Sequence, residues 1–180
     1  MTSIRVGRWR LALALAAALS LLLAACSSDS PTVSSGVGAG SSLLPESPTA
    51  LPEFTPERFQ SLLAELEGRP VVVNFWASWC GPCRREAAHL AKVARTFEGK
   101  AQFIGVDVED QRPPAREFIQ EYRWTYPSVF DPSGAIRDSL GYVGQPTTVI
   151  YDASGEPVFE WTGPVSAEQM SEELLKLVDP

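Results

Sequence analysis

The chain has 180 residues, 44% of them hydrophobic, which is room for one packed domain plus an appendage. Its formal net charge is −7, and without Arg5, Arg8 and Arg10 the balance is 12 basic against 22 acidic side chains, a net of −10. Such a domain gains nothing from counterion release on nucleic acid and is repelled by anionic lipid, so neither partner is expected.

Those three arginines precede Leu11–Ala25, an apolar run broken only by Ser20. A membrane span needs roughly 20 apolar residues, so the shorter run reads as the charged and apolar regions of an export signal. It ends in Leu23-Ala24-Ala25-Cys26, which resembles a bacterial lipobox. Residues 1–25 are then a cleaved signal and Cys26 a lipid-bearing anchor; the alternative is an ordinary secretory signal with an incidental cysteine. On either reading the domain leaves the cytoplasm. Residues 26–52 are expected as a tether, because Ser27 to about Ala50 is rich in Ser, Gly and Pro and nearly uncharged.

The folded domain is expected over 53–180. Thr55-Pro56-Glu57-Arg58 reads as an N-cap with proline in the first turn, and Phe59, Leu62, Leu63 and Leu66 continue a helix to Gly68. Val71–Trp76 is almost wholly apolar, which suits a central strand covered on both faces. Cys80 to about Phe97 is expected as a helix with Ala87, Leu90, Ala91, Ala94 and Phe97 inward, and Ala101–Val108 as another buried strand. Pro113–Arg123 reads as a helix and Ser128–Phe130 as a short strand stopped by Asp131-Pro132-Ser133-Gly134. A brief helix carries Ile136, Leu140 and Tyr142. Thr147–Tyr151 and Val158–Trp161 form a hairpin about Asp152–Gly155, and Ser166 caps a last helix through Met170, Leu174, Leu175 and Val178. The order αβαβαβαββα predicts an α/β fold, a mixed central sheet with helices on both faces.

Three cysteines are present, and Cys26 has a use as the anchor. Cys80 and Cys83 close a loop too short to constrain the unfolded chain usefully, so the pair serves chemistry rather than stability. In Trp79-Cys80-Gly81-Pro82-Cys83 the first cysteine falls at a helix N-terminus, where free N–H groups and the macrodipole favour its thiolate. Only a thiolate attacks a disulfide, which makes Cys80 the nucleophile and Cys83, one turn in, the resolving thiol. A zinc site needs four ligands, and Cys80, Cys83 and His89 are all the chain offers beyond Cys26, so no metal is expected.

The stretch Val71–Glu86, with Trp79-Cys80-Gly81-Pro82-Cys83 at its centre, resembles the thioredoxin superfamily, and more narrowly the membrane-anchored TlpA/ResA/DsbE-type oxidoreductases. A second mark is Gly144-Gln145-Pro146-Thr147-Thr148 followed by Val149–Asp152, and the similarity runs from about Glu53 to Leu177. The resemblance implies a thioredoxin-like fold and thiol:disulfide oxidoreductase activity without a cofactor. It further implies a cis bond before Pro146, a substrate-binding site of Trp79, Gln145 and Pro146 in which Gln145 offers backbone groups to an extended segment, and Glu86 exchanging protons with the resolving thiol. A solvated helix residue is the other reading of Glu86.

Asn74 stands where thioredoxin has a buried aspartate, which moves proton transfer toward Glu86, and Ala88 replaces a helix-kinking proline of many relatives. Arg84 and Arg85 read as thiolate-stabilising or merely solvated, His89 as a surface residue or a partner of Glu86, Trp124 and Tyr126 as groove or core. Trp76 and Phe75 read as core.

Two directions of chemistry stay open: a reductase, for example of the haem-attachment cysteines in cytochrome c maturation, or an oxidase forming disulfides in secreted proteins. Potentials in this fold span about 150 mV, roughly 7 kcal/mol. The expected partners are protein thiols and disulfides and a membrane redox protein, met in the periplasm or cell-wall space. A copper-delivery module, a non-catalytic surface lipoprotein and a peroxidase fit less well: no histidine follows His89, and no peroxidatic motif is seen.

Overall fold

A computed structural model describes residues 41–178. The export signal and Cys26 lie outside the described residues. Ten elements follow in chain order: α1 (Pro56–Glu65), β1 (Val71–Trp76), α2 (Gly81–Thr96), β2 (Gln102–Val108), α3 (Arg112–Glu121), β3 (Ser128–Asp131), α4 (Ala135–Ser139), β4 (Thr147–Tyr151), β5 (Pro157–Thr162) and α5 (Ala167–Val178). The expected alternation of helices and strands is the observed one.

The local signals behave as their chemistry dictates. Thr55 Oγ1 accepts from Arg58 N–H at 3.3 Å and Ser166 Oγ from Gln169 N–H at 3.1 Å, each satisfying a first-turn donor. Beyond α1 the chain reverses at Gly68, whose φ of +100° is a region that favours glycine. α2 runs uninterrupted through Ala88.

The five strands lie in the order β3-β2-β1-β4-β5. β1, β2 and β3 are mutually parallel, while β4 runs antiparallel to β1 and β5 to β4. Alternation along the central strands divides the core. Val72, Trp76, Phe103, Phe130 and Ile150 face α2, α3 and α5, whereas Val73, Phe75, Val106, Val129 and Val149 face α1 and α4. Both faces of β1 are therefore covered, which is why it is apolar at every position but Asn74.

The domain begins earlier than the sequence led us to expect. Residues Ser41–Pro52, expected in the tether, are docked on the domain. Leu51 is fully buried, and Leu43 and Leu44 pack against the core under α1. The carbonyls of Thr49 and Leu51 accept from Arg116 Nε and Arg112 Nε, both at 3.0 Å, and Phe130 N–H donates to Pro52 O at 2.9 Å. The segment through Glu53 thus covers the outer edge of β3, pairing Glu53 with Phe130. Composition could not show this, because the donors lie on α3 and β3, far along the chain.

Candidate functional site

Parallel register places Asn74, Gly105 and Ser128 side by side, with Trp76, Asp107 and Phe130 one pleat along, all on the face under α2. This face is polar where the core around it is apolar, and its polar groups lie beneath the cysteine pair.

Cys80 is the N-cap of α2, in extended backbone conformation, and is joined to Cys83 by a disulfide. Its Sγ accepts from Cys83 N–H at 3.2 Å, a donor that favours negative charge on this sulfur once the bond is reduced. Cys80 is 4% exposed and Cys83 1%, so the sulfur at the helix end is the one nearer solvent. The Gln145–Pro146 bond is cis, as the resemblance implies, and Gln145 O lies 3.7 Å from Cys80 Sγ. Trp79 projects outward at 60% exposure, its Nε1–H donating to Glu109 O at 3.0 Å. Cys80 thus sits between the Trp79 ring and the Gln145–Pro146 loop.

Glu86 is buried, not solvated. Its Oε1 accepts from Asn74 Nδ2 at 3.0 Å and its Oε2 from Val165 N–H at 2.8 Å. Asn74 Nδ2 also donates to Thr148 Oγ1 at 3.1 Å. Burial raises the Glu86 carboxyl to about 7, against a smaller opposing effect of the two donors. A carboxyl poised there gives and takes protons at neutral pH.

Sequence reasoning missed a second buried acid. Asp107 is fully buried, neither oxygen meets a donor, and burial, then the charge of Asp110, raise it to about 9. The two carboxyls share a hydrogen bond only when one of them is protonated. Asp110 in turn accepts from Ser78 N–H at 2.5 Å and Ser78 Oγ at 3.0 Å, fixing the loop that leads to Cys80. An aspartate inside a run of buried strand residues was the available signal.

The remaining candidates sort clearly. Trp124 and Tyr126 are core, not groove: Trp124 Nε1–H donates to Ala87 O at 3.0 Å, and Trp124 packs on Trp76, Phe118 and Tyr126. Arg84 is no free charge. It bonds Glu121 at 2.6 Å and Ser78 O at 3.3 Å over the rings of Phe118 and Tyr122. His89 and Arg85 face solvent. Among the described residues no three His, Cys, Asp or Glu side chains converge as a metal-binding group, and no helix is long and apolar enough to cross a membrane. Beside Trp79 opens a cleft of about 680 Å³, lined by Glu109, Asp110, Glu117, Phe118 and Glu121 among others.

A strand, then Cys-x-x-Cys at a helix N-terminus, on a mixed five-stranded sheet, is the arrangement of a thioredoxin-like thiol–disulfide oxidoreductase. The AhpC/TSA family model matches residues 50–156, and the chain belongs to that family. It is 34% identical over 119 residues to the thiol-disulfide oxidoreductase ResA of Halalkalibacterium halodurans, covering 66% of this chain and 67% of that one. It is 38% identical over 114 residues to the thiol:disulfide interchange protein DsbE of Allochromatium vinosum, covering 63% and 62%. The chain thus spans about two thirds of the length of these relatives. Among solved structures, a secreted thiol-disulfide isomerase of Corynebacterium glutamicum superposes with a TM-score of 0.61 at 29% identity, covering 66% of this chain and 75% of its own. A secreted disulfide oxidoreductase of Mycobacterium tuberculosis, described as homologous to E. coli DsbE, does so at 0.59 and 27%, covering 63% and 86%.

Proposed function

We propose that Cys80 and Cys83 form the redox couple of an extracytoplasmic oxidoreductase acting on protein disulfides, in the reducing direction, with Glu86 as the proton carrier for Cys83. The observation that carries this reading is Cys80 at the mouth of α2, facing the Gln145 carbonyl, with Glu86 buried on the same helix. In the reduced enzyme the Cys80 thiolate attacks a substrate disulfide, forms a mixed disulfide and expels one substrate thiolate. Cys83 gives its proton to ionised Glu86, attacks Cys80 Sγ and releases the second substrate thiolate, which takes up a proton. Two electrons have passed to the substrate, and the Cys80–Cys83 disulfide remains. The extended substrate segment lies between Trp79 and Gln145–Pro146, taking backbone hydrogen bonds from Gln145 in the manner of an added strand.

The resemblance to ResA and DsbE supports the reducing direction and a role such as cytochrome c maturation. The compact passage from α1 directly to β1, and the likeness to a secreted isomerase, support the second reading, an oxidase of secreted proteins. The reduction potential of the couple separates them: about −270 mV marks a reductase, about −120 to −180 mV an oxidase or isomerase. Cys83→Ser traps mixed disulfides with substrate and Cys80→Ser abolishes exchange; full exchange by Cys80→Ser would overturn the reading. The signal over residues 1–25 and Leu23-Ala24-Ala25-Cys26 support a lipid anchor on Cys26 and a membrane protein as electron partner. Fatty-acid labelling that survives Cys26→Ala would refute the anchor.

A further inference from the structure

Arg137 belongs to none of the motifs, yet it joins the two walls that flank Cys80. It is 9% exposed, unusual for an arginine, and its side chain leaves the five-residue helix α4 toward the site. Nη1 donates to Glu109 Oε2 at 3.2 Å and to Gln145 Oε1 at 3.1 Å, while Nε donates to Asp138 Oδ1 at 2.9 Å. Glu109 holds the other wall through its backbone, since its carbonyl accepts the Trp79 indole N–H. The Trp79 ring and the Gln145 side chain are therefore fixed to one residue, the first directly and the second through the guanidinium.

The surroundings are shaped for this contact. Asp131 Oδ2 accepts from Ile136 N–H at 3.0 Å and Arg137 N–H at 3.3 Å, pinning the start of α4 to the end of β3. Gly134 has a φ of +75°, and a Cβ there would stand 2.7 Å from Arg137 Nη2 and 3.5 Å from Glu109 Cδ. No side chain fits at 134 without displacing the guanidinium. Glu109 itself sits at a φ of 51°, a conformation costly for a residue with a Cβ, and is held there by its N–H bond to Asp131 O at 3.0 Å.

We propose that Arg137 is a positioning residue for polypeptide substrates: by tying Gln145 to the Glu109–Trp79 wall it sets the cleft in which an extended segment meets Cys80. This deepens the oxidoreductase reading and rests on it. A small dithiol needs only the sulfur, whereas a polypeptide needs both walls in register. The test compares steady-state reduction of insulin with direct reaction of the Cys80–Cys83 disulfide with dithiothreitol, using the full chain. Arg137→Met is expected to raise KM for insulin about tenfold with kcat within about twofold, as loss of a charged hydrogen-bonded bridge implies. Reaction with dithiothreitol stays within about twofold of native. Arg137→Lys, which keeps the charge but loses the planar fork, falls between the two. An unchanged KM, or parallel losses toward insulin and dithiothreitol, would overturn the proposal. If Arg137→Met does not fold, Glu109→Gln decides: it weakens the bridge but keeps the carbonyl on Trp79, and must raise KM in the same direction. A native protein that exchanges with neither reagent would instead refute the oxidoreductase reading itself.

Discussion

Asn74 and Glu86 are joined inside the protein, Nδ2 to Oε1 at 3.0 Å, on adjacent elements directly beneath the cysteine pair. The amide donates to the neighbouring carboxylate at any pH without adding a negative charge, which an aspartate at this position would do only while protonated. On the mechanism proposed above the proton-carrying duty falls to Glu86, whose burial from water lifts its carboxyl to about 7 from an ordinary 4.5.

The sign of the pH effect follows. A carboxyl raised in the folded state binds its proton more tightly there than in the unfolded chain, so its contribution to stability is complete below pH 4.5 and lost as pH rises through about 7. The shift corresponds to about 3 kcal/mol. Urea unfolding of the oxidised protein is expected to show that loss relative to Glu86→Gln, whose curve lacks this component. The rate at which Cys83 resolves a mixed disulfide loses its limb near neutral pH in the same variant. Parallel stability curves for the two proteins would remove Glu86 from both roles.

Leu51 gives the second expectation. It is fully buried, and its carbonyl accepts from Arg112 Nε at 3.0 Å. Leu51→Ala is expected to cost about 2–5 kcal/mol in urea unfolding, the range for emptying such a site. A chain starting at Glu53 loses this residue and the Thr49 and Pro52 hydrogen bonds, whereas one starting at Ser41 keeps them. Equal stability of the two chains would show that the docked segment contributes nothing.

These residues mark how far the sequence can be read. The order of elements was legible because β-branched runs such as Val71–Val73 and the spacing of Phe59, Leu62 and Leu66 each fit one periodicity. Thr55, Ser166 and the Cys80 cap were legible because capping is local chemistry. Leu51 was not: it follows a Ser- and Pro-rich stretch, and its carbonyl and that of Thr49 are held by Arg112 and Arg116, some sixty residues away in sequence. Arg137 was hidden for the same reason, since its partners come from β2's far end and the Pro146 loop. Trp124 and Tyr126 were ambiguous because an aromatic ring suits a groove as well as a core until its stacking partners are known.

Gly105 supplies a third expectation, about the floor of the site. A Cβ there would stand 2.7 Å from Trp76 Nε1 and collide with Ser128 Oγ, both from strands flanking β2. The sheet cannot yield locally, because those neighbours are themselves buried. Gly105→Ala is expected to destabilise the domain by about 1–3 kcal/mol despite adding only a methyl group. Gly99→Ala, with open space at the Cβ but a φ of +76°, provides a contrast in which strain acts without crowding. A Gly105→Ala protein as stable as native in urea would show that the polar face under α2 has slack.

Asp107 carries the last. Burial chiefly, and the Asp110 charge next, raise its carboxyl from 3.8 to about 9, so it is neutral at pH 7. Its contribution to stability is complete below pH 3.8 and declines as pH rises through about 9. Asp107→Asn keeps the shape but has no proton to lose. Whatever the amide costs in the fold is independent of pH, whereas the cost of the acid grows with alkalinity. The Tm difference between variant and native is therefore expected to move steadily in the variant's favour from pH 4 to 9, the variant being the more stable at the alkaline end. Because Asp110 holds Ser78 N–H, ionising Asp107 in the native protein also sets two like charges against the loop that leads to Cys80. Dithiothreitol reaction of the native protein above pH 9 should then depart from the smooth rise of reagent thiolate, and that of Asp107→Asn should not. A Tm difference constant across the pH range would mean that Asp107 is already ionised in the fold.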